Sequence, residues 1–479
     1  MKLSELLKDI TYSGSFEDRR VVDIASDSRK VREGSVFVCI KGLRFDGHTA
    51  ARAALEAGAA AVVTDHELGL PNEIVVENTR FALAKLCSAF FGRPQDKLRL
   101  IAVTGTNGKT TIANVVKQAL DAMGHKAGVI GTLGTRIGEI ELPAKFTTPE
   151  PWDLEMIFDR MVTAGCEFAV MEASSQALEQ GRLLDLHFEC GIFTNLSQDH
   201  LDYHGDMRSY FNCKKMLFDI CDCAVINSDD PAGKELLAEL KIPAVSYAIQ
   251  DEAADFRAVN TLCNISGVQF DFSGSGAQER CSFAMPGNFS IYNALACICA
   301  LKSVGMPISQ SCAAVSAAGG VSGRCEVLHA GSNTVICDYA HTEDALRKLL
   351  SSLKPYVKGR LVVLFGCAGR RDKTKRPPMA KAVCEYADFV ILSSDNPRDE
   401  DPLSITYELR PYVMESGLPF TVIPDRYYAV NWAVRFLKED DVLVLCGKGH
   451  EDYQVIDGCT VYLDERRIVR DYYRQREGK

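Results

Sequence analysis

An apolar run, Leu98–Thr104, leads into the segment T-G-T-N-G-K-T-T (Thr104 to Thr111), and a helical pattern follows from Thr110 to Met123. This strand–turn–helix constrains the chain more than any other stretch. Phosphate recognition needs backbone N–H donors, a cation and close approach unobstructed by side chains. Gly105 and Gly108 permit the turn, and the helix N-terminus offers free N–H groups at the positive end of its dipole. Lys109 can reach the β- and γ-phosphates, and the Thr110 hydroxyl can hold Mg²⁺. With Thr106, Asn107 and Thr111 they form a candidate ATP site. The loop is a shortened form of G-x-x-x-x-G-K-S/T, with Val103 where the first Gly would stand. The competing reading, a polar turn with an exposed Lys, does not explain why strand, glycines, Lys-Thr pair and helix coincide. By itself the loop implies a nucleotide and leaves kinase, ATPase and ligase open.

A chain of 479 residues has material for about three domains. Apolar runs and helical stretches alternate along it, which predicts an α/β fold with mostly parallel, doubly wound sheets. Three sections are expected: a small α/β unit over residues 1–98, a central P-loop ATPase-like parallel sheet over 99–320, and a second, Rossmann-like sheet over 321–479. The net charge of −10 argues against nucleic acid as the main partner. The N-terminus lacks the apolar core of a signal peptide, and no run is long enough to span a membrane, so a cytoplasmic location is expected. The 18 Cys are scattered. The C-x-C pairs Cys221/Cys223 and Cys297/Cys299 do not match zinc-site spacing and read as structural thiols in a reducing compartment.

Further motifs accompany the loop. Glu172 sits at the C-terminal end of an apolar strand, where ligands bind in open α/β sheets; a carboxylate there can hold Mg²⁺ or be a solvated strand end. His200 and His204 stand four apart, a spacing that suits a shared metal if the segment is helical. The turn Gly447-Lys448-Gly449-His450-Glu451, alone, could be a short phosphate loop.

Together the motifs resemble the Mur ligase family over essentially the whole chain, in the family's domain order: a uridine-nucleotide domain, a central ATPase domain and a Rossmann-like domain. The resemblance implies a ligase that uses ATP and Mg²⁺, with UDP-N-acetylmuramoyl-dipeptide as a substrate and a monomer as the working form. It makes Glu172 and His200 metal ligands and leaves His204 structural. Lys214 is expected to be carbamylated by CO₂, which turns a cation that would repel Mg²⁺ into an anion; Lys215 is the competing candidate. Asn293 is implied near the adenine, Arg324 near the phosphates, and Asp338 and His341 in a nucleotide-contacting stretch. Ser28, Thr147, Thr148, Ser174, Gln180 and Arg182 match precursor contacts, and residues 44–48 are expected to line the uracil and diphosphate. The chain departs from the family pattern at Gln176, Ser322, Glu343, Ala368 and Arg370.

The stretch Asp395-Asn396-Pro397-Arg398 resembles the motif of the diaminopimelate-adding branch. Meso-diaminopimelate differs from lysine by a second carboxylate at its far end. A guanidinium takes a carboxylate through two parallel charge-assisted hydrogen bonds, and without that anion Arg398 is expected to be a buried, unpaired charge that rejects lysine. Arg371, Gly447 and Glu451 are implied at the amino-acid end of the substrate. The alternatives are a lysine-adding relative, a folate-polyglutamating enzyme, disfavoured by the section preceding the P-loop, and a nucleotide-binding relative without catalysis.

Overall fold

The apolar runs segregate into three large sheets, and one hydrophobic core runs on from the central sheet into the third. The computed structural model describes residues 1–42 and 45–476. In the first sheet the strand order is Ser13–Ser15, Glu73–Val75, Ala61–Thr64, Ser35–Val38, Asp23–Ala25. Only Ser13–Ser15 runs antiparallel. The two central strands are buried throughout, which is why they read as continuous apolar runs. Trp152, at the start of the helix Pro151–Thr163, packs on Phe90 and Phe91 and seats this sheet against the central unit.

The central sheet has 11 strands. Seven are parallel and include β1 (Arg99–Thr104), β2 (Phe168–Glu172) and β3 (Phe188–Phe193). The mostly parallel expectation holds for this interior. Both flanks depart from it: Gly134–Ile137 with Ile140–Leu142, and Gly267–Gly274 with Ala277–Phe283, add on antiparallel. In the second pair buried residues alternate with more exposed ones, as in half-solvated edges.

Helix α1 (Lys109–Ala122) follows β1. After β2 comes α2 (Ser175–Glu179), and after β3 come α3 (Leu201–His204) and α4 (Met207–Lys215). Helix α5 (Asn288–Ser303) is apolar all round, and Ala294 to Leu301 are fully buried. Cys297 and Cys299 therefore both lie in the core although they face different ways. All 18 cysteines are free.

The third sheet runs Glu326–Ala330, β4 (Thr334–Asp338), Val442–Cys446, β5 (Leu361–Phe365), β6 (Phe389–Leu392), Phe420–Val422. All but the first are parallel. A fully buried ion pair, Arg426 to Glu465 at 2.6 Å, fastens two of its helices. Helix α6 (Glu343–Leu353) opens with Thr342 capping the Ala345 N–H. Glu343 and Asp344 in its first turn complement the dipole, which accounts for Glu343 at a position also suited to Pro.

Candidate active site

Because β1, β2 and β3 are parallel neighbours, the phosphate loop, Glu172 and the segment beginning at Asn195 leave the sheet at one edge. The loop is moulded against its neighbours. Gly105 has φ +143°, and a Cβ there would collide with Thr194 Oγ1. Gly108 has φ +91°, and a Cβ would come within 2.7 Å of Asn293 Oδ1, which puts Asn293 directly on the loop. The backbone N–H of Asn107 donates to Asn195 Oδ1 at 2.9 Å, and Thr106 Oγ1 accepts from the Ser197 N–H at 3.0 Å. Gly105→Ala is expected to abolish detectable ATP binding while the fold survives, read by nucleotide titration beside a far-ultraviolet spectrum.

Two ammonium groups converge on one carbonyl. Lys109 Nζ donates to the Gly105 oxygen at 2.8 Å and the Thr106 oxygen at 2.9 Å; Lys214 Nζ donates to the same Gly105 oxygen at 2.7 Å. Burial, and then the Lys109 charge, push the Lys214 amine well below the usual lysine range, and burial lowers Lys109 too. The shift raises the share of neutral amine at Lys214, the form that reacts with CO₂. Lys215, by contrast, is half-buried and pairs with Glu239. Thr111 is buried in the first turn of α1.

Glu172 is 1% exposed. Its carboxylate accepts from Thr110 Oγ1 at 3.0 Å, the Thr132 N–H at 2.8 Å and Thr132 Oγ1 at 3.2 Å, and it has no ion pair among the described residues. A buried carboxylate with only neutral donors fits a cation. His200 precedes α3 with φ 52° and an imidazole pKa lowered by burial. No hydrogen bond joins it to Glu172 or Lys214; it lies within electrostatic reach of Lys109 and Lys214. His204, at the other end of α3, is enclosed and bonds Ser175 instead, so the two histidines do not form a pair.

Five of the six precursor-contact candidates, all but Ser28, form one chain of bonds with Glu172. Thr147 Oγ1 meets Thr132 Oγ1 at 3.2 Å. Thr148 Oγ1 donates to the Glu172 carbonyl at 2.8 Å and accepts from the Ser174 N–H at 3.0 Å. Arg182 donates to the Thr148 carbonyl at 2.7 Å and to Gln180 Oε1 at 2.7 Å, and pairs with Glu150 at 2.9 Å. Gln180 in turn donates to Tyr203 at 3.0 Å.

The third sheet reaches the loop. Arg324 donates to Thr110 Oγ1 at 3.2 Å and stacks on Tyr339. Asp344 accepts from Asn107 Nδ2 at 3.2 Å and Ser197 Oγ at 2.7 Å. Asp338 accepts from the N–H groups of Cys325 and Ala340; burial raises its pKa and Arg324 opposes that. His341 is exposed and bonds the Tyr339 carbonyl. A Cβ at Gly323 would strike the Gly449–His450 backbone, so the chain crosses between units at van der Waals contact. Ser322, in place of Pro, accepts from Arg466.

A second cluster gathers at the C-terminal edge of the third sheet. Lys448 is fully buried, and its ammonium donates to Asn396 Oδ1 at 3.0 Å and Glu451 Oε2 at 2.7 Å, with Asp395 at 3.8 Å. Asn396 Nδ2 also donates to Glu451 at 3.0 Å. This Lys448 is engaged by acidic and amide partners, so the G-K-G-H-E turn is not a phosphate cradle. Gly447, φ +108°, lies against Asp395. Pro397 is buried, and its carbonyl closes on Gly369.

Arg398 has φ 57°, and its guanidinium donates to the Gly369 carbonyl at 3.3 Å. The expectation of a buried charge is corrected: Arg398 is half-buried, because its loop lies open beside the hairpin Tyr453–Ile456 and Cys459–Tyr462. It has no ion pair among the described residues. Arg371 is exposed. Arg370 pairs with Asp399 at 2.6 Å, and the Ala368 carbonyl faces Arg376 at 3.5 Å, so both departures are absorbed by neighbouring loops.

Ser28 opens a turn after the strand Asp23–Ala25, capped by Asp27, and no contact joins it to the phosphate loop. Of the expected 44–48 stretch, Arg44 lies outside the described residues, and His48 is buried between Asp46 and Asp65. Sequence reasoning missed Thr132 and Asp344, and offered Lys448 only as part of a possible phosphate loop. Only Lys448 carried a signal, as a Lys between two glycines.

Family models match three stretches: "Mur ligase family, catalytic domain" over residues 20–90, "Mur ligase middle domain" over 103–301, and "Mur ligase, glutamate ligase domain" over 323–449. The UDP-N-acetylmuramoyl-L-alanyl-D-glutamate–2,6-diaminopimelate ligase of Clostridium perfringens is 38% identical over 98% of this chain and 99% of its own. The ligase of the same name from Caldanaerobacter subterraneus is 39% identical over 100% of both chains. A solved structure of an enzyme with that name superposes with a TM-score of 0.74 at 32% identity, covering 100% of this chain and 99% of the other.

Proposed function

The chain belongs to the Mur ligase family, and on that footing we propose that it joins meso-diaminopimelate to the D-glutamate of UDP-N-acetylmuramoyl-L-alanyl-D-glutamate, in the cytoplasm, during peptidoglycan precursor synthesis. The observation that carries the amino-acid choice is Arg398, a half-buried guanidinium with no ion pair among the described residues, beside the Asp395–Asn396–Lys448–Glu451 cluster. The far carboxylate of diaminopimelate supplies the missing anion.

The reaction runs in two chemical steps. The D-glutamate carboxylate attacks the γ-phosphorus of ATP, giving an acyl phosphate and ADP. The diaminopimelate amine then attacks the acyl carbon, an amide forms and inorganic phosphate leaves. Lys109 and Arg324 bracket the phosphates, and Gly105 to Thr111 cradle them. Mg²⁺ held by Thr110, Glu172, His200 and the carbamate of Lys214 would neutralise charge on the transferring phosphoryl group. Thr147, Thr148, Ser174, Gln180 and Arg182 orient the precursor, with Ser28 toward its nucleotide end. Arg371, Asn396, Arg398, Gly447 and Glu451 aim the amine. Residues 1–98, 99–320 and 321–479 each bring one substrate, and their closure sets the geometry, which supplies much of the rate.

The test uses precursor whose D-glutamate carboxylate carries heavy oxygen. The label should appear in inorganic phosphate, and only when diaminopimelate is present in net turnover. Phosphate that stays unlabelled while product forms would contradict the acyl-phosphate route.

A further inference from the structure

Beneath the catalytic edge, three side chains outside the ATP site converge on one point. His204 Nδ1 lies 3.7 Å from Cys213 Sγ and 3.6 Å from Glu179 Oε2. All three candidate ligand atoms lie within 4.8 Å of one another. They come from the ends of α2, α3 and α4. A tetrahedral zinc with Zn–S of about 2.3 Å and Zn–N of about 2.0–2.1 Å separates its N and S ligands by roughly 3.5 Å and its N and O ligands by roughly 3.3 Å. The two His204 spacings need a contraction of a few tenths of an ångström, and the Cys213–Glu179 pair closes from within 4.8 Å.

The far side of the imidazole is already arranged for this use. His204 Nε2 faces Ser175 Oγ at 2.9 Å. With Nε2 donating to that hydroxyl, Nδ1 keeps its lone pair toward Cys213 and Glu179, and Ser175 is then the outer contact that metal-binding histidines commonly have. The His204 side chain is fully enclosed, and Cys213 is 8% exposed. Glu179 is half-exposed, which gives an ion its route in and water a fourth position.

We propose that Glu179, His204 and Cys213 form a zinc site, distinct from the Mg²⁺ position at Glu172. Thiolate, imidazole and carboxylate favour zinc over magnesium, which prefers oxygen ligands in an octahedron. Binding takes Cys213 as the thiolate, its proton leaving to solvent. The bound ion clasps α2, which follows Ser174, to α4, which carries Lys214 next to Cys213. It therefore holds the precursor-side turn and the Lys214 helix in one piece. This inference does not depend on which amino acid is ligated.

Cobalt replaces zinc and reports its ligands by colour. The full chain, stripped of metal and kept in excess Mg²⁺, is titrated with Co²⁺ alone. One equivalent should produce tetrahedral visible bands and a thiolate-to-cobalt band in the near ultraviolet. Zn²⁺ should displace it and raise the melting temperature. Cys213→Ala should lose the thiolate band, and Glu179→Gln, at a half-exposed position that leaves the fold intact, should weaken binding at least tenfold. A wild-type titration without the thiolate band, or affinity and spectra unchanged in Glu179→Gln, overturns the site.

Discussion

Lys214→Ala is expected to lower kcat by about a thousandfold or more, the scale on which loss of a preorganised charge contact in the transition state acts. Lys215→Ala, one residue away, should stay within a few-fold of wild type. The contrast follows from where the helix puts the two side chains. Lys214 is 1% exposed and bonded to the phosphate loop, whereas Lys215 pairs with Glu239 on the surface. As a free ammonium, Lys214 would add a second cation beside Lys109 at the loop. As the proposed carbamate it would instead contribute oxygen ligands to the Mg²⁺ site. Lys214→Arg separates the two roles: it keeps the positive charge and cannot be carbamylated, so it should be as inactive as Ala. Steady-state phosphate release on the three variants checks this, with ATP affinity measured in parallel. An active Lys214→Arg enzyme would refute the carbamate role.

Arg398→Ala should reduce kcat/KM for meso-diaminopimelate by roughly a hundredfold or more, while the weak activity with L-lysine stays the same or rises. A bidentate guanidinium–carboxylate contact consists of charge-assisted hydrogen bonds of about 1.5–3 kcal/mol each, and a loss of about 3 kcal/mol is a little over two decades. Among the described residues the guanidinium bonds only the Gly369 carbonyl, at 3.3 Å, so removal should not unsettle the loop. The backbone N–H of Arg398 still bonds Val455 at 2.8 Å. Melting temperature near wild type alongside the lost selectivity separates recognition from folding. Equal loss with both amino acids would mean that Arg398 shapes the loop and does not read the carboxylate.

How much of this was legible depended on whether a residue's role constrains its neighbours. The phosphate loop is readable because Gly105 and Gly108 have no substitute: one sits on Thr194 and the other on Asn293. Strands such as Phe168–Glu172 are readable because burial on both faces forces an apolar run. The antiparallel flank was missed for the converse reason. Val268, Phe270 and Phe272 alternate with polar residues, a period-two signal too short to stand out beside the long runs. Thr132 supports Glu172 from a turn, and Asp344 meets the loop from another unit; neither belongs to a local pattern, since their partners lie far away in sequence. Lys448 looked like a phosphate ligand until the fold set it between Asn396 and Glu451.

The most direct test of the central claim is phosphate release from ATP with UDP-N-acetylmuramoyl-L-alanyl-D-glutamate, comparing meso-diaminopimelate with L-lysine at equal concentration. The account predicts release that requires the precursor, is rapid with diaminopimelate and is at least a hundredfold slower with lysine, with product mass rising by one diaminopimelate residue. Equal or faster release with lysine would contradict the reading of Arg398, and no amino-acid-dependent release at all would contradict the ligase assignment itself.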